Sequence, residues 1–148
     1  MSLAVDVATE GVRIPLARDR VAEIVRAALR AEKVREAMIS IAFVDARAMA
    51  ALNRRHLGHR GPTDVISFGF APSGKAAPVV GDVYVCPEVA RENARAAGAT
   101  VREELARLVV HGVLHVLGHD HPADESRVAS PMWHRQEQLV RRALGGRA

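Results

Sequence analysis

The 148-residue sequence predicts an α+β fold, with helices packed on a mixed four-stranded sheet. Three observations carry this expectation. Short β-rich apolar runs and longer helix-periodic segments follow one another in the order βαβαββααα. No internal repeat, low-complexity tract or linker divides the chain, and its length suits one domain, 1–148, with a real core. Aromatic residues make up only 3% of the chain, so Ala, Val, Leu and Ile must fill that core.

The first strand is expected over residues 3–8, where apolar and polar positions alternate weakly. Pro15 then opens a helical segment reaching about Glu32, proline being tolerated in a first turn. Its apolar positions Leu16, Val21, Ile24, Val25, Ala28 and Leu29 keep the helical period, and its arginines lie largely off that stripe. Residues 38–44, Met-Ile-Ser-Ile-Ala-Phe-Val, read as a central strand. Asp45 can cap a helix over residues 46–55, which Gly58, Gly61 and Pro62 break into a loop. Residues 65–70 and 79–85 read as hairpin-like neighbouring strands, joined by a loop of small residues from Pro72 to Pro78, expected to be mobile. Pro87 starts a helix that Gly98 stops. Thr100-Val-Arg-Glu103 is a capping box, in which Thr and Glu satisfy each other's backbone donors, and it starts the next helix. A last helix runs from about Glu125 or Ser130 to Leu144, with Pro131 as a start or restart and Gly145 and Gly146 at a frayed end.

Several function classes are excluded early. No apolar run approaches the roughly 18–20 residues of a membrane span. The N-terminal stretch lacks the charged region, apolar stretch and cleavage site of a secretory signal. One cysteine, Cys86, leaves no intrachain disulfide framework, and a buried strand-end thiol is its expected role. These features point to the cytoplasm. The formal net charge is +4, carried almost wholly by arginine, since Lys33 and Lys75 are the only lysines. Arginine suits bidentate phosphate contacts, so a polyanion such as RNA is one reading and a coding bias with a solvated surface is the other.

The most informative stretch is His111-Gly-Val-Leu-His115-Val-Leu-Gly118-His119-Asp120-His121. On a helix, residues four apart share a face, with Cβ atoms about 5–6 Å apart. The imidazoles of His111 and His115 can therefore converge on one ion. Gly118 falls where the helix would stop, and the chain can then turn back to offer His121. Three neutral histidines with one open position form the pattern of a catalytic zinc site on a zincin-like helix. His119 reads as a neighbour of the site or a surface residue. Asp120 either orients a ligand histidine through its ring N–H or caps the last helix.

The spacing H-x-x-x-H-x-x-G-x-x-H is also that of metzincin peptidases. In those enzymes a glutamate directly after the first histidine is the general base. Here that position is Gly112. The metal cage is kept and the peptidase base is missing. A bound dication lowers the pKa of water and polarises a carbonyl or phosphoryl oxygen, so phosphodiester cleavage is chemically reasonable without the glutamate.

Three separated blocks resemble the YbeY-type endoribonucleases, or rRNA maturation factors. The first is Leu52-Asn53 followed by Pro62-Thr63-Asp64-Val65-Ile66-Ser67-Phe68. The second is Gly81-Asp82-Val83. The third is the histidine stretch, followed by Met132 and Glu137. Together they span roughly residues 37–144. The resemblance implies a zinc-dependent, single-strand-specific endoribonuclease of bacterial cytoplasm, with one Zn²⁺ per chain. Its implied partners are rRNA and the small ribosomal subunit, in 3′-end maturation and quality control. His111, His115 and His121 align with the family's metal ligands. One departure stands out: the family commonly carries Tyr-Arg between the first two motifs, and here the pair is His56-Leu57. Arg54, Arg55, His59 or Arg60 can supply that charge instead, Arg55 and Arg60 being taken with His111 as the catalytic candidates; a basic loop end with no catalytic part is the other reading of each. His119 also replaces a tyrosine.

Thr63, Asp64 and Asp82 either shape a cleft or simply end a loop at a strand, the structural role being favoured; Met132 is read as core or as lying under the metal, Trp133 as helix packing and His134 as surface. Two alternative functions stay open, a zinc peptidase and a non-enzymatic ribosome-assembly factor with a structural metal. The nucleophile, water or a ribose 2′-OH, is also open.

Overall fold

The computed structural model describes residues 2–70 and 77–145. Most of the loop expected to be mobile, and Gly146, lie outside the described residues. The elements are β1 (Ser2–Glu10), α1 (Arg18–Ala31), β2 (Glu36–Val44), α2 (Ala46–Leu57), β3 (Val65–Phe70), β4 (Val79–Val85), α3 (Pro87–Ala97), α4 (Val101–Val116), a 3₁₀ turn (Glu125–Ala129) and α5 (Pro131–Gly145). The sheet order is β1-β2-β4-β3. β1, β2 and β4 run parallel, and β3 is antiparallel to β4. The expected α+β class and mixed four-stranded sheet are both present.

Side chains on a strand alternate between faces, and the two faces are covered by different helices. Ile39, Ile41, Phe43, Val83 and Val85 point into the larger core, with α1, α4 and α5 above them. Ala42, Val44, Ile66 and Cys86 point the other way, where Met49 of α2 covers them. No helix among the described residues is long and apolar enough to cross a membrane.

Local signals in the sequence set most boundaries. Asp45 caps α2 by accepting from the Ala48 N–H at 2.8 Å, and Gly58 ends it in the left-handed region at φ +69°. Thr100 accepts from the Glu103 N–H at 3.1 Å and starts α4. Glu103 does not return the bond; its carboxylate turns to Arg107 at 2.8 Å. Ser130 caps α5 by accepting from the Trp133 N–H at 3.2 Å, so Pro131 starts that helix and the 3₁₀ turn stands apart from it. The start of α1 needs correction. Leu16 is buried in the core and Ala17 is extended at ψ 147°, so Pro15 lies outside the helix, which begins at Arg18. β1 and α2 also run longer than expected, because β1 pairs with β2 along its whole length and Gly58 places the stop after Leu57.

Three glycines let α4 lie close on the sheet. Gly69 and Gly81 face each other across β3 and β4. A Cβ at Gly81 would fall 2.4 Å from Val116 Cγ1, and one at Gly69 would fall 3.0 Å from the Val116 carbonyl. The pair thus forms a notch that receives the C-terminal end of α4. Earlier on that helix, a Cβ at Gly112 would lie 2.5 Å from Val83 Cγ1. The histidine-bearing helix is seated by the absence of side chains at these points.

Candidate metal centre

α4 carries His111 and His115 on one face. Gly118, at φ +100°, then turns the chain after the helix end, and His121 returns to the pair. Among the described residues these three could hold a metal ion. The Nε2 atom of His121 lies 3.2 Å from that of His115 and 3.3 Å from that of His111. These are not hydrogen bonds, because each ring commits its proton on the other side. His115 Nδ1 donates to the His119 carbonyl at 3.0 Å, and His121 Nδ1 donates to the Pro122 carbonyl at 2.7 Å. His111 Nδ1 donates to Gln136 Oε1 at 2.6 Å. A neutral imidazole has one donor and one acceptor nitrogen. Three acceptor nitrogens therefore face one another with no proton to share, and a cation resolves that conflict. Bonds of about 2.0–2.1 Å in a tetrahedral site separate ligand nitrogens by about 3.3–3.4 Å, so the observed spacing fits.

The electrostatics agree. Burial pushes the His111 pKa down to about 4, against the opposing bond to Gln136. Burial also lowers that of His115. Both rings are neutral at pH 7, as metal ligation requires.

His119 stays out of the cluster. Its ring pairs with Glu32 at 2.7 Å, and Glu32 also binds Arg135 at 2.6 Å. This fastens the loop to α1 and α5 and holds in place the carbonyl that orients His115. Burial raises the Glu32 carboxyl, but its bonds to Arg135 and His119 bring it below the usual carboxylate value. Asp120 does neither thing expected of it: its carboxylate accepts from the His121 backbone N–H at 2.8 Å. Met132 is buried in the core, and His134 is exposed.

The cluster opens on a cleft of about 720 Å³, lined by His111, His121, Asp64, Arg127, Trp133 and Gln136, among others. Trp133, expected in helix packing, is half-buried because it borders this cleft. Of the two readings of Asp64, the one at the cleft matches its place: Asn93 donates to its carboxylate at 2.9 Å and it borders the cleft. Arg107 also lines the cleft, but Glu103, Glu104 and Glu137 occupy its guanidinium. Arg127 makes no ion pair among the described residues.

Arg55 and Arg60 do not join this lining. α2 packs on the opposite face of the sheet from α4, and the left-handed turns at Gly58 and Gly61 keep its end there. Arg60 shares a separate depression of about 500 Å³ with Arg54 and His59. Arg55 and Leu57 are exposed. Asn53, from the first motif, donates to the Gly61 carbonyl at 2.9 Å and fixes that loop.

Gln136 was not anticipated, although a signal existed: it occupies an apolar-stripe position of α5, beside the buried Met132, Leu139 and Val140. Glu32 lies 87 residues from His119 and gave no signal. Gly112 also gains a meaning. The position of the peptidase base faces Val83 and Val65, with no room for a side chain.

A family model described as endoribonuclease YbeY matches residues 6–143. A relative from Beutenbergia cavernae, named endoribonuclease YbeY, is 46% identical over 76% of this chain and 78% of its own. Relatives of the same name from Micrococcus luteus and Bacillus licheniformis are 38% and 34% identical, covering 97% and 96% of this chain and 94% and 96% of theirs. The solution structure of TM1509 from Thermotoga maritima is similar with a TM-score of 0.62 at 25% identity, covering 96% of this chain and 90% of that one. On the strength of these matches, this chain belongs to the endoribonuclease YbeY family.

Proposed function

We propose that this chain is a zinc-dependent endoribonuclease that cuts single-stranded RNA as one catalytic domain in the cytoplasm. Its task in this reading is maturation of small-subunit rRNA 3′ ends and ribosome quality control, with the small subunit as partner. The observation that carries the chemistry is the convergence of three unprotonated Nε2 atoms at the head of an open cleft.

His111, His115 and His121 hold one Zn²⁺, and Gln136 and the carbonyls of His119 and Pro122 hold the ring protons that keep the three nitrogens free. Zinc in such a site supplies Lewis acidity, polarising a phosphoryl oxygen and lowering the pKa of water. Arg127 offers a guanidinium to a phosphate, and Trp133 offers a ring face to a base. Arg55 and Arg60 contact the RNA backbone outside the cleft. The filled space at Gly112 disfavours the peptidase reading, because no carboxylate can sit there.

The test compares wild type and His115→Ala, both checked for native circular dichroism, on a single-stranded RNA and on a denatured protein. Zinc-loaded wild type is expected to cut only the RNA, and His115→Ala is expected to cut neither. RNA left uncut by protein with stoichiometric zinc would favour a non-enzymatic assembly factor. Cut protein would revive the peptidase.

A further inference from the structure

Arg107 and His111 lie one turn apart on α4, and Gln136 and Glu137 are adjacent on α5. Four hydrogen bonds join them into a ring across the two helices. Arg107 holds both oxygens of Glu137, with Nε to Oε2 at 2.8 Å and an Nη to Oε1 at 3.0 Å. Gln136 Nε2 donates to Glu137 Oε2 at 2.9 Å, and Gln136 Oε1 accepts from His111 Nδ1 at 2.6 Å. Gln136 is buried at 1% exposure, and both ends of its amide are bonded to these partners.

Each partner limits the next. A guanidinium only donates, and a carboxylate only accepts. The carboxylate therefore turns the Gln136 amide so that its NH₂ group faces Glu137 and its oxygen faces His111. His111 must then carry its proton on Nδ1, and its Nε2 lone pair is left free. Without the carboxylate, the amide could rotate by half a turn and present its NH₂ group to Nδ1. The ring proton would move to Nε2 and block the position a metal needs. We propose that Arg107 and Glu137, which line the cleft but hydrogen-bond to none of the three histidines, are positioning residues that fix the tautomer of His111 through Gln136. This rests on reading His111 as a ligand.

The tautomer is measurable without metal. Long-range ¹H–¹⁵N spectra of the metal-free protein above pH 7.5 distinguish Nδ1–H from Nε2–H. Wild-type His111 is expected as Nδ1–H alone. Glu137→Gln keeps shape but lets the amide rotate, so a mixture with Nε2–H is expected, together with a loss in zinc affinity of about tenfold. Glu103→Gln removes another ion pair of Arg107 that is not in the ring, and is expected to change neither readout. The double variant Gln136→Glu/Glu137→Gln puts an acceptor-only group directly against His111 and is expected to restore Nδ1–H. Glu137→Gln with a pure Nδ1–H tautomer and unchanged zinc affinity would overturn the proposal, as would Glu103→Gln moving both readouts equally. Should Glu137→Gln not fold, Glu137→Ala is read in its place, with the same tautomer mixture expected and a pure Nδ1–H tautomer with unchanged zinc affinity overturning the proposal. Absent zinc binding by wild type would instead strike the ligand reading, leaving the tautomer result to judge the relay.

Discussion

At the scale of single residues, proton placement governs the site. Each candidate ligand is a histidine whose Nδ1 proton is held by an oxygen of another residue, so ligand strength depends on groups outside the cluster. The pH dependence follows. In the metal-free protein the folded pKa of His111, about 4, lies below its ordinary 6.5. The folded state then binds fewer protons than the unfolded state between those values. The associated stability is complete above pH 6.5 and is lost as pH falls toward 4. Urea unfolding of metal-free protein is expected to show about 2 kcal/mol less stability at pH 5 than at pH 7.5, and His115→Ala to shrink the difference only in part. Gly112 gives a second test. Gly112→Ala is expected to destabilise by about 1–3 kcal/mol through overpacking against Val83. Gly112→Glu is expected to cost more and to confer no peptidase activity. The histidine triad was legible because its spacing is local. Gln136 was harder to read, since a polar residue in an apolar stripe signals a buried bond without naming its partner. Arg55 and Arg60 differ from the triad: nearness in sequence to a motif does not bring a side chain to the lining of the cleft.

At the scale of elements, the key contact is between α4 and the glycine notch of β3 and β4. Gly81→Ala is expected to lower stability by about 1–3 kcal/mol, and Val116→Ala in the same chain to recover most of the loss. A double-mutant cycle by chemical denaturation checks this, and additive costs would contradict it. The loop after α4 depends on Glu32. Glu32→Ala is expected to cost about 1–2 kcal/mol and to weaken zinc binding, since it frees the segment that presents His121. Helix starts at Asp45 and Thr100 could be read directly, because a capping side chain and the backbone N–H it accepts from are three residues apart. The notch could not. Each glycine is visible in the sequence, but their pairing depends on strand register, which only the folded sheet fixes.

At the scale of the whole molecule, the basic net charge and the cleft have opposite signs. The cleft lining carries Asp64, Glu103, Glu104 and Glu137 against Arg107 and Arg127, a formal −2. Burial raises the Glu104 carboxyl despite its bonds to Arg107 and Asn93. The positive charge of the chain therefore lies largely elsewhere, on the arginines of α1 and α2 among others. A dication in the histidine cluster cancels the formal charge of the lining. Zinc-loaded protein is thus expected to bind single-stranded RNA more tightly than metal-free protein in a fluorescence assay, the sole tryptophan, Trp133, serving as reporter. Affinity should also fall with salt by a slope of roughly 0.7 per phosphate contacted. The sign of the net charge was legible in composition; its separation from the cleft was not, because it follows from which helix faces which side of the sheet.

In the proposed function, one metal ion held by His111, His115 and His121 makes this chain a ribonuclease. This is tested most directly by titrating zinc into metal-free protein while following cleavage of a single-stranded RNA. Activity is expected to rise linearly and saturate at one zinc per chain. Cleavage at full rate before any zinc is added, or none at one equivalent, would contradict the claim.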